Sequence, residues 1–503
     1  MGKQDFIFDL VRSLSKPEKR YFKLYTSRYK QEGEKKYISL FRAFEKSRST
    51  KAAESSVTAE QANYDGSIAA DKHYLSEMLM SSLRQFHSEA TVSIRLSNEL
   101  LSAELLRRKG LFEHTLRRIA RIKKEAISYE LPEIVTQAIR LECETRAAAS
   151  IQWPQVAEPL YEELDTWLVR QLELNRLDKQ RVHQLRLSLE QGRPETKQEI
   201  EEWKNRRDHF NPGVSTTGLV YETLIRLRAY SHACIVLRDI EETNRINTIQ
   251  YGLFQQHPRL IERSLIDYLS FLFRHFTTSV QVENYTMAGQ LLDEIRSIYR
   301  KRSDNVHSEE TEFIDDRLLS CELYLFAKTG RFDKVRELSS EAEQFIKTRY
   351  TRQQSVIGFN MSVAFLLAED YRKVIHWTHR ALSFPECKKD YMLFLGSNLH
   401  QLVAHIELND FDAAVSRVNT LKRFVQLRKT GQSCFDLALI RLLSRCASAD
   451  DPQLRSGYAR EFLEEHGQNA GYLNTDEYVA LRSWINKQVS LTPTNENGRR
   501  KAG

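Results

Sequence analysis

The stretch that decides the fold is Leu323-Tyr324-Leu325-Phe326-Ala327-Lys328-Thr329-Gly330-Arg331-Phe332-Asp333-Lys334-Val335. Upstream of it, Ile314, Leu318, Cys321 and Leu325 fall at i, i+4, i+7 and i+11, one stripe of a helix. Thr329-Gly330-Arg331 breaks that helix. Phe332 opens a second one, and Val335 lies three positions on, on the same face. Helix, tight turn and returning helix make a hairpin. The same signature, an apolar or aromatic anchor followed at +3 by a small or β-branched residue, recurs along the chain. Phe112…Thr115, Trp153…Val156, Ile240…Thr243, Tyr285…Ala288, Tyr371…Val374 and Phe411…Ala414 carry it, and Arg193-Pro194 and Pro452 mark further breaks. With anchors at 112, 153, 193, 240, 285, 332, 371, 411 and 452, the spacings run from 39 to 47 residues. No run alternates apolar and polar residues over a strand's length. The period therefore predicts stacked helical hairpins, each of two helices of about 15 residues. The anchor is expected to be buried in the hairpin corner, and each hairpin to cover its neighbour's apolar face.

Composition agrees. Gly numbers 18 and Pro 10 among 503 residues, below the usual shares of about 7% and 5%. That scarcity argues against turn-rich sandwiches, barrels and propellers, and against a glycine-looped α/β nucleotide enzyme. The densest apolar run, Met361 to Ala368, is eight residues long, far short of the ~20 that cross a bilayer. The N-terminus has an apolar patch broken by Asp5 and Asp9 and no small-residue cleavage site, so a cytoplasmic protein without membrane association is expected. Six cysteines, none in a C-x-x-C pair, read as buried apolar groups.

The hairpin signature resembles a tetratricopeptide (TPR) repeat. The family's first-helix aromatic matches Phe326, its turn glycine Gly330, its turn aromatic Phe332 and its late small residue Ala342. In the next unit Ser362, Phe365, Tyr371, Val374 and Ala381 keep the register, and Pro385 follows. Phe411 and Ala414 match in the unit after, where His405 stands for the aromatic; Ala103, Gly110 and Phe112 match near the start. The family's period is about 34, shorter than the units here. The resemblance implies an all-α, right-handed superhelical α-solenoid of TPR-like hairpins, binding a protein or peptide on the concave face of its first helices. Carried over in register, Arg317, Tyr324, Lys328, Phe359 and Val363 would face that groove. The family's Lys/Asn clamp for a peptide C-terminal carboxylate is absent at these positions, so a C-terminal tail is not the expected ligand.

Three regions are expected: a basic, aromatic-rich helical segment over residues 1–90, the repeat array over 91–489 and a disordered tail over 490–503. Ser15-Lys16-Pro17-Glu18 reads as a capped helix start. Residues 1–48 hold 13 Lys/Arg and 6 Asp/Glu, a net of +7, which is the net charge of the whole chain. Tyr21, Leu24, Tyr25 and Tyr29 make one helical stripe, expected to pack near Phe41 and Phe44, with lysines opposite. Such a row of lysines contacts phosphates without reading sequence. Any nucleic-acid binding is therefore expected to be weak and non-specific. An alternative reading takes Thr58–Asn63, the Tyr64–Ser67 turn and a helix from Ile68 as a helix-turn-helix, with Lys72, His73 and Arg84 on the reading helix and the repeats as a sensor arm.

Catalytic signatures are missing. No G-x-G-x-x-G, G-x-S-x-G, H-E-x-x-H or E-x-x-H occurs. Gly213-Val-Ser-Thr-Thr-Gly218 has the glycine spacing of a phosphate loop without its Lys-Ser/Thr, and reads as an ordinary loop. His376, His379, His400 and His405 have a metal-like spacing but no cysteine partner, and read as surface or groove histidines. Adjacent acidic pairs such as Asp315-Asp316, Glu309-Glu310 and Asp450-Asp451 lie at helix starts and complement the dipole. The basic residues between Arg107 and Lys124 read as a solvated face. No enzyme activity, metal or cofactor is expected, and the sequence leaves the oligomeric state and the partner's identity open.

Overall fold

A computed structural model describes residues 5–27, 36–47, 49–52, 54–55, 68–149, 155–191, 194, 196–211, 213, 215–303, 309–348, 353–427, 434–449, 451–466 and 478–490. Among these the chain is all helical, with no strand. It divides into two compact units: residues 1–168 with 262–264 and 300–311, and residues 169–261, 265–299 and 312–503.

In the first unit α1 (Phe6–Ser13), α2 (Lys16–Ser27), α3 (Lys36–Lys46) and α4 (Ile68–Phe86) close around Val11, Phe22, Phe41, Phe44, Leu75 and Leu79. A capping box opens α2: Glu18 N–H donates to Ser15 Oγ at 3.3 Å, and Ser15 N–H to Glu18 Oε2 at 2.7 Å. The buried face of α2 is not the expected tyrosine stripe. Phe22 and Thr26 point inward and Leu24 is exposed, while Tyr21 packs at the edge against Phe86. The helix sits rotated by about one residue because the Phe22–Phe41 contact, with centroids 4.7 Å apart, fixes its phase. Tyr29 and Lys30 lie outside the described residues. Three helices follow in antiparallel sequence, α5 (Val92–Arg108), α6 (Phe112–Ser128) and α7 (Pro132–Ala148).

Helix α8 (Ala157–Gln191) then runs 35 residues without a break. Here the expected unit between anchors 153 and 193 does not form two separate helices. From Leu160 to Gln191 there is no Gly or Pro to end a turn. The second helix of one hairpin therefore continues straight into the first helix of the next. Trp153 and Arg193, the anchors of this stretch, lie outside the described residues.

The chain continues with α9 (Lys197–His209), α10 (Val220–Val236), α11 (Ile240–Gln256), the short α12 (Pro258–Arg263), α13 (Leu265–Gln281) and α14 (Tyr285–Ser303), of which residues 262–263 and 300–303 count with the first unit and the rest with the second. Then come α15 (Glu309–Lys328), α16 (Phe332–Glu337), α17 (Ser339–Thr348), α18 (Gln353–Leu367), α19 (Tyr371–Ser383) and the short α20 (Pro385–Lys389). It ends with α21 (Tyr391–Glu407), α22 (Phe411–Leu427), α23 (Cys434–Ala447), α24 (Pro452–His466) and α25 (Val479–Ser490). Two apolar clusters fill the second unit, one centred on Tyr268, Phe271, Phe276 and Leu291, the other on Phe365, Trp377, Leu399 and Leu439.

One turn design recurs. Gly110, Glu130, Arg238, Glu283, Gly330, Glu369 and Asn409 all have φ between 54° and 74°. Each stands two residues before a helix start. The next residue's N–H reaches back to a carbonyl five positions earlier: Asp239 to Cys234 at 2.9 Å, Asn284 to Ser279 at 2.8 Å, Arg331 to Phe326 at 2.8 Å, Asp370 to Phe365 at 2.9 Å. This is the Schellman closure, which satisfies carbonyls the helix end would leave bare. Asp239, Asn284, Asp370 and Asp410 also cap the new helix, accepting from the N–H three residues on at 3.1–3.3 Å.

Every anchor in the described residues is the first residue of a helix: Phe112, Ile240, Tyr285, Phe332, Tyr371, Phe411 and Pro452. The anchors are not the buried residues, however. The six from Phe112 to Phe411 are only half-buried, whereas Thr115, Thr243, Ala288, Val335, Val374 and Ala414 are at most 1% exposed. At its first residue the second helix has not yet closed on the first; one turn later it has. The threonines tolerate this because Thr115 and Thr243 hydroxyls donate to the carbonyls four residues back, at 2.9 and 2.7 Å. The helices of one hairpin approach closely at Gly358 in α18, where an added Cβ would lie 3.0 Å from Ala381 of α19.

Candidate functional site

Helices α13, α15 and α18 are the first helices of three successive hairpins, and together they line a recess of about 260 Å³. Phe273, Phe276 and Thr277 come from α13. Arg317, Ser320, Cys321 and Tyr324 come from α15, and Gln353, Val356, Asn360 and Val363 from α18. The register is shared. Thr277, Tyr324 and Val363 each stand eight residues before the next helix's anchor, while Cys321 and Asn360 stand eleven before it. Arg317 and Val356 stand fifteen before it. Steps of three to four residues keep one helical face toward the recess.

Of the residues carried over from the repeat resemblance, Arg317, Tyr324 and Val363 lie in this lining. Lys328 follows Tyr324 by one turn and is not in it. Phe359 turns away: it is 5% exposed, and its ring stacks on His400 with centroids 5.1 Å apart. One residue before Asn360, it points about 100° around the helix toward α21. A Cβ on Gly396 would meet its ring at 2.7 Å. The polar lining residues Thr277, Ser320, Gln353 and Asn360 were not identified from sequence. Counting back eight, eleven and fifteen from each anchor would have found Thr277 and Asn360.

The floor is apolar, made by Phe273, Phe276, Val356 and Val363. The polar groups are hydroxyls and amides that both donate and accept. Asn360 Nδ2 approaches Ser320 O at 3.5 Å. Ser320 Oγ is buried and has no hydrogen-bond partner among the described residues. Arg317 is the cation of the recess; its guanidinium lies 3.7 Å over the Phe313 ring, and Nη1 donates to Phe313 O at 3.0 Å.

The other features singled out in the sequence have structural partners. The Gly213–Gly218 loop wraps a carboxylate of its own chain. Glu222, fully buried, accepts from Thr217 N–H (2.7 Å) and Oγ1 (2.6 Å), Thr216 N–H (3.0 Å) and Ser215 Oγ (3.0 Å). Arg226 Nε adds a further bond at 2.8 Å. Burial alone would raise the Glu222 pKa, but these donors outweigh it and hold the group at about 2. Each arginine of the basic row meets a carboxylate: Arg107 and Arg108 meet Glu104, Arg117 meets Glu113, and Arg118 and Arg121 meet Glu99.

The four histidines disperse. His376 meets Glu343 at 2.8 Å, His405 meets Asp410 at 3.1 Å, His400 is buried against Ser362 at 2.9 Å, and His379 is exposed. Among the described residues no group of three or more His, Cys, Asp or Glu is placed to hold a metal ion.

Residues 56–67, with the turn of the helix-turn-helix reading, lie outside the described residues. Lys72 of its reading helix is engaged by Asp5 and Glu54. Lys19 and Lys23 of the basic segment reach Glu45 at 3.8 and 3.1 Å. No described helix is long and apolar enough to cross a membrane. No family model matches the chain, and no match was found among the curated proteins or the solved structures compared with it.

Proposed function

We propose that this chain is a non-catalytic scaffold, a TPR-like right-handed superhelix whose first helices hold a segment of a partner protein along their inner face. The observation that carries the reading is a partly shared register: three consecutive first helices line one recess, all three with the residue eight before the next anchor and two of them with the residues eleven and fifteen before it. Its apolar floor suits side chains of a bound segment. Its amides and hydroxyls suit a peptide backbone, which offers both N–H and C=O. The lining contains no carboxylate or imidazole among the described residues, so no acid–base pair faces the space. The Lys72 and Lys19/Lys23 pairings favour this reading over a groove-reading regulator.

A photo-crosslinking residue placed at Thr277, inside the recess, tests it against one at Glu337, an exposed position on α16. The scaffold reading expects a discrete protein adduct from position 277 in native lysate and none from 337. Equal labelling from both positions, or none from 277, rules it out.

A further inference from the structure

Next to the recess, helices α8, α10 and α13 bring three arginines together. Gln184 Nε2 of α8 donates to Ala229 O of α10 at 3.3 Å, and Ser188 Oγ meets His232 Nε2 at 3.1 Å. Arg228 Nη1 of α10 reaches Asp267 Oδ1 of α13 at 3.1 Å. These contacts fix the register. Arg181 lies one turn before Gln184, Arg228 adjoins Ala229, and Arg274 lies two turns beyond Asp267 on the same face of α13. Thr277, one turn past Arg274, lines the recess.

The charges do not balance. Arg181 is paired with Asp178 at 2.7 Å and Arg228 with Asp267. Arg274 has no hydrogen bond or ion pair from its guanidinium among the described residues. Desolvation by its surroundings, then repulsion from Arg228 and Arg181, pulls its pKa down to about 9, against the attraction of Asp267. His232 responds in the same sense: burial first, then Arg274 and Arg181, hold its imidazole near 4 and so neutral at pH 7. A desolvated guanidinium without a counter-charge destabilises the free protein. A ligand that brings a carboxylate relieves that cost.

We propose that Arg274, flanked by Arg228 and Arg181, is an anion site that receives an acidic side chain of the segment lying in the recess, so that the scaffold's partner is an acidic peptide. The inference rests on the scaffold reading and adds the ligand's chemistry to it. A carboxylate suits the site better than a nucleic-acid backbone. One guanidinium is left over after the two pairs, a match for one carboxylate, whereas a phosphate chain needs an extended row of cations. The arginines that could form such a row, between Arg107 and Arg121, are each engaged by Glu99, Glu104 or Glu113.

The test uses the full chain and three fluorescein-labelled probes: a short peptide of alternating glutamate and leucine, its glutamine–leucine counterpart and an oligothymidylate. Anisotropy is expected to show the glutamate peptide bound at least about tenfold more tightly than the other two, as for a charge-assisted pair. Arg274→Met is expected to remove that advantage and also to raise the melting temperature. Arg117→Met, at an exposed pair outside the site, is expected to leave both unchanged. A structural arginine behaves oppositely, so a lowered melting temperature in Arg274→Met overturns the proposal. Equal binding of the glutamate and glutamine peptides overturns the anion site while leaving the groove standing. Binding of neither peptide overturns both readings, and oligothymidylate binding as tight as the acidic peptide's assigns the site to nucleic acid instead.

Discussion

Replacing Glu222 by Gln changes one atom's chemistry at the centre of a closed set of donors. The native carboxylate is reached by the N–H groups of Thr216 and Thr217, the hydroxyls of Ser215, Thr216 and Thr217, and Arg226 Nε. An amide keeps one acceptor oxygen and turns an NH₂ toward donors, so at least one pair of groups opposes like with like. Arg226, 6% exposed, is left as a buried cation with no anion. Removing one partner of a buried pair costs about 3–5 kcal/mol. The lowered pKa reflects the same donors: the drop from 4.5 to about 2 corresponds to roughly 3 kcal/mol of stability. The sign follows from the depressed value. The carboxylate's contribution is complete above pH 4.5 and is lost as the pH falls toward 2.

Urea unfolding of the full chain at neutral pH is expected to show a loss of about 3–5 kcal/mol for Glu222→Gln. The Thr216 and Thr217 amides should lose hydrogen-exchange protection in the same variant. The acid limb of its stability profile below pH 4.5 should flatten, because the titrating group is gone. Glu242→Gln, at a surface pair with Arg245, serves as the control, expected to cost under about 1 kcal/mol. A loss for Glu222→Gln no larger than the control's refutes the account of the loop as a carboxylate cradle.

Other substitutions probe the hairpins. Glu283→Gly relieves a left-handed residue of about 1–2 kcal/mol and adds about 0.5–1 kcal/mol of unfolded-state entropy, so thermal melting should show a small net gain. Gly358→Ala sets a Cβ 3.0 Å from the Ala381 backbone and should cost about 1–3 kcal/mol, with α18 and α19 losing exchange protection first. Val335→Ala should destabilise at least as much as Phe332→Ala despite deleting fewer atoms, because Val335 is the buried member of the pair; a markedly larger effect at Phe332 would restore the anchor as the core residue.

The hairpin boundaries were legible because each turn is punctuated locally. Gly330 or Asn409 in the left-handed position, Asp239, Asp370 or Asp410 as a cap, and an apolar first residue leave marks within four residues of one another. Side-chain depth was less legible. Phe332 is larger than Val335 and looks like the core residue, but position along the closing helix decides burial, and a sequence does not show where two helices meet. The fused helix α8 was misread for a related reason, since the expected period supplied a turn that the residues from Leu160 to Gln191 do not encode. The arginine cluster was invisible because Arg181, Arg228 and Arg274 are spread across 94 residues and are brought together by three helices. The Gly213–Gly218 stretch reads in the sequence as an ordinary loop, and its role as a cradle for the Glu222 carboxylate was not legible there.

Five of the seven left-handed turn positions carry side chains other than glycine. The reverse turn is thus enforced by main-chain carbonyls and amides, atoms that every amino acid possesses, and the codon at that position is free to change at modest energetic cost. A molecule built this way can keep its three-dimensional rhythm while the written rhythm fades.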